Sequence, residues 1–333
     1  ILKAKALFLT LLLLSAALLL MGLAAGSRGW EVNAGIFGDM SSPMDKLVSQ
    51  QILWQIRAPR SLGAWLAGGL LGLAGVIAQG LFRNPLADPY LLGSAAGAQL
   101  AVAITLTLFT LSPAIDAWVF RIGLTGAAFL GALLAVLLTL TLAKGVQYSL
   151  RLLLAGVIVG VVLAALSSLA MLMTPDIMRA TQGFMLGTTA FLNWGSNVVL
   201  GSGVLVCGLL ALGSAKSLDA LALGETTARS LGLKLNYVRA VLVSVIAFAT
   251  GAAVSQVGLI AFVGLVAPHM MRALVQTMHG WLLPLSALSG GILLLAADIA
   301  ARWLLAPQEL PVGVLTAVLG GTYLLWLMHR KAI

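Results

Sequence analysis

The feature that most constrains this chain is a repeated apolar segment long enough to cross a bilayer. A helix needs roughly 20 mostly apolar residues to span the hydrocarbon layer. Runs of that kind recur along almost the whole length, beginning with Ala6 to about Ala25. The 333 residues are 61% hydrophobic and only 9% charged, with a mean hydropathy of +1.07. The sequence therefore predicts an all-α polytopic membrane protein with one transmembrane domain over residues 1–333.

Ten membrane spans are predicted, which places both termini on one side of the membrane. The spans cover about 6–25, 61–81, 94–111, 119–142, 152–174, 193–213, 238–258, 259–277, 282–304 and 314–328. In this topology most of the 19 basic residues lie on the side of the termini, as the positive-inside rule expects of the cytoplasm. We therefore attribute the net charge of +9 to membrane orientation, and we expect no nucleic-acid partner.

The first apolar run has one competing interpretation, as a secretory signal peptide. Lys3 and Lys5 precede it, and the sequence LAAGS at 23–27 resembles a cleavage site. However, the run of about 20 residues exceeds the usual signal core of roughly 7–15 residues. We therefore predict a membrane span with a cytoplasmic N-terminus.

One polar stretch, residues 216–235, interrupts the apolar pattern between spans 6 and 7. Its charged residues and two glycines predict a pair of short amphipathic helices around Gly224, on the cytoplasmic side. The charged residues are Lys216, Asp219, Glu225, Arg229 and Lys234. Such a segment either docks on a soluble partner or lies among lipid headgroups, and the local pattern does not decide between them.

Several other polar positions have structural explanations as well as functional ones. Asn84 and Asp88, in the proline-containing turn after span 2, are expected to satisfy backbone groups. Arg302 follows Asp298 by one helical turn, which favours an ion pair within span 9. Residues 176–190 predict a short outer helix. The single cysteine, Cys207, excludes an internal disulfide, and no motif indicates a metal site or a catalytic group.

In its motifs, the chain resembles the membrane permeases of bacterial ABC importers for cobalamin, iron-siderophores and haem, the type II importers. The motifs occur in order over nearly the full length. They are R-A-P-R (57–60), Q-G-L-F-R-N-P-L-A-D-P (79–89), L-L-G (91–93), A-L-G-E-T-T-A-R-S-L-G (222–232), F-V-G-L-V-A-P-H-M-M-R (262–272), A-D-I-A-A-R (297–302) and E-L-P-V-G (309–313).

The resemblance implies that the polar stretch docks in a groove of a separate ATPase subunit. The implied coupling residues are Leu221, Gly224, Glu225, Arg229 and Gly232. The chain has no phosphate-loop pattern, so ATP and Mg would bind to the ATPase. We therefore expect this chain to bind no cofactor and to catalyse no reaction itself. The implied partners are a second copy of the permease, two ATPase subunits, a periplasmic substrate-binding protein and the lipid of the inner membrane.

The same resemblance implies roles at the outer face and along the passage. The arginines at the start of span 2 and the end of span 9 would meet acidic residues of the binding protein; they are Arg57, Arg60 and Arg302. Span 5, the short helix after it and span 10 would line the passage between two copies. The candidate residues for the pathway and its gate are Gln147, Tyr148, Ser149, Ser167, Ser168, Met171 and Met173, although serine and methionine are also common in packed membrane helices.

The sequence leaves open which cargo is transported and whether ATP or an ion gradient drives the transport. Haem is the favoured cargo, with a ferric siderophore or cobalamin as the alternatives. All three histidines, His269, His279 and His329, fall on the inner side, which argues against a fixed haem ligand in the outer half. An ion-coupled secondary transporter is the competing class. It would need ionisable groups near the middle of the membrane, and the predicted spans hold almost none there.

Overall fold

The computed structural model describes residues 2–26, 29–30, 43–110, 117–143 and 149–331. These ranges are almost entirely helical. The α-helices are α1 (Leu2–Ala24), α2 (Pro43–Ile52), α3 (Ala58–Phe82), α4 (Ser94–Thr110), α5 (Ala117–Leu142), α6 (Ser149–Met173), α7 (Met178–Leu186), α8 (Trp194–Gly213), α9 (Ala215–Ala222), α10 (Glu225–Ser230), α11 (Leu235–Val257), α12 (Val263–Leu274), α13 (His279–Trp303) and α14 (Val312–Lys331).

Short irregular elements connect some of these helices. A π-helical turn joins α2 to α3, and 3-10 turns precede α4 and α7. A two-residue antiparallel pairing follows α1. Their bounds are Leu53–Arg57, Pro89–Leu92, Pro175–Ile177, and Ala25–Gly26 paired with Gly29–Trp30.

Seven helices in the described ranges are long and apolar enough to span a membrane, and two shorter apolar helices accompany them. The all-helical membrane fold is therefore confirmed. The segment predicted as span 8 (259–277) contains α12, which has only 12 residues. At 1.5 Å per residue it is about 18 Å long, well short of the hydrocarbon thickness. The ten-span count and the cytoplasmic position of the termini remain predictions.

Helix α3 forms the centre of the bundle and packs against α13, α11, α12 and α8. Two of its glycines permit this packing because they lie against the backbone of α13. A Cβ on Gly68 would lie 2.3 Å from the carbonyl oxygen of Gly290, and one on Gly72 would lie 2.2 Å from that of Ser286. Small residues allow close approach of membrane helices, and here they make α3 and α13 a tightly packed pair.

The outer surfaces of α5, α6, α8 and α14 carry large exposed apolar side chains. Examples are Leu134, Val161, Leu205 and Val318, each more than half exposed. A contiguous apolar surface of this kind is expected to be covered by lipid or by another protein. The fold therefore combines a buried centre around α3 with a periphery suited to the membrane.

Candidate functional site

Asp298, near the end of α13, is fully buried and lies between two arginines. Its Oδ1 atom accepts hydrogen bonds from Thr189 Oγ1 at 2.5 Å and from Arg60 Nε at 3.0 Å. Its Oδ2 atom accepts from Arg302 Nε at 3.0 Å. A buried carboxylate is costly unless it is paired and hydrogen-bonded. Here two guanidinium groups and a hydroxyl satisfy it.

Arg302 is 2% exposed and holds the ends of three helices together. Besides Asp298, one turn earlier on α13, it donates from Nη1 to the carbonyl oxygen of Gly22 at 3.0 Å, and from Nη2 to Ser61 Oγ at 3.1 Å. A guanidinium offers five N–H donors in a fixed fork. Its geometry therefore fixes the end of α1 and the start of α3 against α13.

Arg60 connects this buried group to the surface. Its Nη1 atom lies 2.8 Å from Oε2 of Glu309, in the loop between α13 and α14. The Glu309 side chain is 29% exposed, whereas that of Arg60 is 9% exposed. We call Arg60, Thr189, Asp298, Arg302 and Glu309 the arginine cluster. Glu309 is the member of the cluster that a molecule outside the bundle can reach most easily.

The three arginines predicted to dock a binding protein differ in their environments. Arg57 is half-buried and donates from Nη1 to the carbonyl oxygen of Leu23 at 3.3 Å. Arg60 and Arg302 are buried in ion pairs within the chain. The alternative interpretation of Arg302, pairing with Asp298, is thus what the structure contains. Docking by these arginines remains a prediction. Because the donors of Arg302 already bond within the chain, Arg302 would contribute to docking by holding the other residues of the cluster in place.

At the opposite end of the bundle, the predicted pair of short helices is present as α9 and α10, which we call the helix pair. Gly224 separates the two helices with φ of +110°, and Gly232 follows α10 with φ of +82°. Residues with a Cβ rarely adopt such angles. The two glycines therefore give the segment its bent path.

The inner face of the helix pair is anchored in the bundle. Leu218 and Leu221 are buried in the bundle, and the coupling role of Leu221 remains a prediction. Asp219 accepts two hydrogen bonds from His279, the first residue of α13. Glu225, also predicted as a coupling residue, pairs with the buried Arg239 of α11. Leu221 and Glu225 thus attach the segment to the membrane helices.

Large side chains are exposed next to the helix pair. Leu223, just after α9, is 69% exposed; Leu231, just after α10, is 62% exposed; and Tyr237, in the first turn of α11, is 70% exposed. Arg229 is also exposed and has no hydrogen-bond or ion-pair partner among the described residues. We call these four residues the exposed patch. Leu223 and Tyr237 are not among the site residues predicted from the sequence. Helical periodicity could have predicted the exposure of Leu223, because this residue lies off the helical face shared by Leu218 and Leu221.

The predicted pathway residues that the structure describes differ in their environments. The hydroxyl of the buried Ser167 has no hydrogen-bond partner in the described ranges, whereas Ser168 is exposed and donates to the carbonyl oxygen of Ala164 at 3.0 Å. Met171 packs against a cluster of buried residues drawn mainly from α4 and α5, and Met173 is 77% exposed. Gln147 and Tyr148 lie outside the described residues, and Ser149 is the first residue of α6. Their pathway role stays a prediction.

The turn between α3 and α4 has the local structure expected of it. Asn84 Oδ1 accepts from the backbone N–H of Leu86 at 2.9 Å, and Asp88 Oδ1 accepts from that of Tyr90 at 2.8 Å. Burial raises the pKa of the Asp88 carboxyl to about 6, and the bond from Tyr90 opposes this shift. These side chains satisfy backbone donors that the turn leaves unpaired.

The bundle, its close helix packing and the amphipathic helix pair define a multi-pass membrane protein with the fold of an ABC transporter permease. A solved structure of a metal-chelate type ABC transporter in an inward-facing conformation superposes with a TM-score of 0.81 and 28% sequence identity, covering 98% of this chain and 99% of the other. Residues 9–330 match the model of the FecCD transport family. The chain belongs to that family.

Two relatives of known function are similar over nearly the full chain. The hemin transport system permease protein HmuU of Yersinia pestis is 38% identical over 317 residues, covering 94% of each chain. The vitamin B12 import system permease protein BtuC of Salmonella newport is 38% identical over 325 residues, covering 97% of this chain and 94% of the relative. The predicted resemblance is thus confirmed. Both relatives are named as transport subunits rather than enzymes.

Proposed function

We propose that this chain is the transmembrane subunit of an ATP-driven importer that moves an iron-containing chelate from a periplasmic binding protein to the cytoplasm. Two copies would enclose the passage in the inner membrane, and two ATPase subunits would bind ATP and Mg and hydrolyse the ATP. Membership of the FecCD family supports the importer class. This chain would convert movement of the ATPases into opening and closing of the passage.

The observation that carries this proposal is the two-sided character of the helix pair. Asp219 and Glu225 fix the helix pair to α13 and α11, while Leu223 and Leu231 after its two helices, and Tyr237 in the first turn of α11, are exposed. Exposed apolar groups beside an arginine suit contact with a protein groove. A helix lying passively among lipid headgroups would not require such rigid attachment to two membrane helices.

The arginine cluster is the proposed docking point for the binding protein. Arg57 and Arg60 would meet acidic residues of the partner, since arginine and carboxylate groups form oriented, charge-assisted hydrogen bonds. Arg302 would support this surface by holding α1, α3 and α13 in register. The helix pair and the arginine cluster lie at opposite ends of α13, which suits a protein with one partner on each side of a membrane.

Haem is the proposed cargo, and a ferric siderophore or cobalamin is the alternative. The similarity to a relative named for hemin transport supports haem. A relative named for vitamin B12 import has the same 38% identity, so identity does not separate these cargoes. Parallel uptake assays with haem, cobalamin and a ferric siderophore, each with its binding protein, would distinguish them.

The coupling role is tested by reconstituting the permease with its ATPase and binding protein in proteoliposomes and measuring uptake and ATP hydrolysis together. Arg229→Glu reverses the charge of the exposed patch, and Gly224→Pro imposes a φ near −65° where the structure has +110°. We expect both variants to insert normally but to lose ATP-driven uptake. Lys3→Gln is the control, because Lys3 is an exposed basic residue outside the helix pair and neutralising it leaves Lys5 to maintain the basic charge of the N-terminus.

Two results would contradict the proposal. Normal ATP-driven uptake by Arg229→Glu and Gly224→Pro would show that the helix pair is not the coupling element. Uptake driven by a proton gradient in liposomes without any ATPase would instead support an ion-coupled secondary transporter.

A further inference from the structure

The carboxylate of Asp219 joins the helix pair to α13, the helix that packs against α3 at the centre of the bundle. Asp219, on α9, accepts at Oδ1 from the backbone N–H of His279 at 2.9 Å and lies 2.7 Å from His279 Nδ1. His279 is the first residue of α13. The first N–H groups of a helix have no partner within it, and negative charge is favourable there. Asp219 therefore caps α13 from a different helix.

The packing around this pair leaves it little freedom. His279 is 8% exposed, and Leu218, next to Asp219, is fully buried. Both approach α3 at Gly80, where a Cβ would lie 2.9 Å from Leu218 Cδ2 and 3.2 Å from His279 Nε2. Because a carboxylate only accepts hydrogen bonds, the contact requires a proton on Nδ1. The orientation of the imidazole is thus fixed by Asp219 on one side and by α3 on the other.

Helix α13 extends from this pair to the arginine cluster. His279 and Asp298 belong to the same helix, which contains Pro284 near its start, and 1.5 Å per residue separates them by about 29 Å. The second attachment of the helix pair, from Glu225 to Arg239, leads instead to α11. A displacement of α9 that pulled on Asp219 would therefore move α13, and with it Asp298 and Arg302.

We infer that Asp219 and His279 are a positioning pair that transmits movement of the helix pair through α13 to the arginine cluster. The inference rests on the proposed coupling function and identifies which contact carries it. Energetic coupling between two sites requires an element that both sites bias. Helix α13 meets this requirement, because the helix pair holds its first residue and the arginine cluster holds its last turn.

The test compares variants that remove the hydrogen bond with one that keeps it. Asp219→Ala and His279→Leu remove the contact with the side chain of the partner. His279→Asn places an amide nitrogen near the position of Nδ1 and retains a donor. In proteoliposomes with ATPase and binding protein, we expect the first two to lower uptake per ATP hydrolysed by about tenfold, as for loss of a charged hydrogen bond. His279→Asn should remain near the wild-type ratio, as should the control His329→Gln, at an exposed histidine on α14.

A second measurement separates transmission from simple loss of stability. The affinity of the binding protein for the complex is measured with and without nucleotide on the ATPase. Linkage requires that an effector on one side change binding on the other. We expect this nucleotide response in the wild type and in His279→Asn, and its loss in His279→Leu. A double variant, Asp219→Ala with His279→Leu, should be no worse than either single variant.

The outcomes distinguish this inference from the proposed function. If Arg229→Glu is uncoupled but His279→Leu keeps both its uptake ratio and its nucleotide response, the inference is wrong and the proposed function stands. Equal uncoupling of His279→Asn and His279→Leu would also overturn it, because the hydrogen bond would then be irrelevant. If Arg229→Glu itself transports normally, the coupling function proposed for the helix pair fails first.

Discussion

Arg60 and Asp298 are 238 positions apart in the sequence, yet Arg60 Nε lies 3.0 Å from Asp298 Oδ1 in the interior of the protein. The pair joins the start of α3 to the last turns of α13, the two helices at the centre of the bundle. Arg302 engages the other oxygen of the same carboxylate. The single carboxylate of Asp298 is thus the shared ion-pair partner of two buried arginines, and both would lose that partner if it were removed.

Replacing Asp298 by Ala should therefore be strongly destabilising. The substitution leaves two buried guanidinium groups without their shared carboxylate, and breaking a buried ion pair typically costs about 3–5 kcal/mol. We expect a lower thermal unfolding midpoint of the detergent-solubilised protein, measured by fluorescence. Asp176→Ala is the matched control, because Asp176 is exposed and has no side-chain partner among the described residues. Equal midpoints for the two variants would contradict a central role for Asp298.

Glu309 is expected to compete with the binding protein for Arg60. Its carboxylate lies 2.8 Å from Arg60 Nη1 and is partly exposed, so it occupies the position that a partner's carboxylate would take. Partly exposed ion pairs contribute about 0.2–1 kcal/mol. If Arg60 takes part in docking, Glu309→Gln should tighten the binding protein by about two- to fivefold in a surface-binding assay. Gln308→Ala, at the exposed neighbouring residue, is the control. Weaker docking by Glu309→Gln would show that Glu309 itself supports the complex.

For the helix pair and the arginine cluster, the sequence predicted local structure better than it predicted contacts between distant parts of the chain. Apolar runs and turn residues located most of the helices, and the glycine at 224 located the bend of the helix pair. The pairing of Asp298 with Arg302 followed from their spacing of four residues. In contrast, the contact of Asp298 with Arg60 depends on how α3 and α13 pack, and no local pattern contains that information.

Two further differences between the predicted and the observed structure also arise from tertiary packing. Leu221 and Leu223 are chemically alike and nearly adjacent, but the first is buried and the second is 69% exposed. Helical periodicity separates Leu223 from the face of Leu218 and Leu221, but the position of α9 against the bundle determines which of the two faces is buried. Likewise, span 8 was predicted from apolar composition, whereas the chain before α12 turns through Phe262 with φ of +68° and leaves a helix of 12 residues. Tertiary packing determined both outcomes.

Asp88 should make stability depend on pH in a direction opposite to that of most paired carboxylates. Burial raises its pKa to about 6 from 3.8, so the folded protein holds this proton more tightly than the unfolded chain does. Stability from this group is therefore present at low pH and is lost as pH rises from about 4 to 6. Asp88→Asn keeps an oxygen for the Tyr90 N–H but does not titrate. We expect its unfolding midpoint to exceed that of the wild type at pH 7 by a few degrees and to match it near pH 4. A difference that grows toward low pH would contradict this assignment.

The contact between α3 and α12 should be the least tolerant of added volume. A Cβ on Gly75 would lie 1.7 Å from the carbonyl oxygen of Gly264, which is far inside any permitted contact. Because the obstacle is backbone, the helices must separate, and overpacking of this kind costs about 1–3 kcal/mol or more. We expect Gly75→Ala to lower the unfolding midpoint and the yield of monodisperse protein. Gly126→Ala is the matched control, since nothing lies within 4 Å of a Cβ at that position on α5. Alanine is the better helix former, so this control should be as stable as the wild type or slightly more so. Equal behaviour of the two variants would contradict the close approach of α3 and α12.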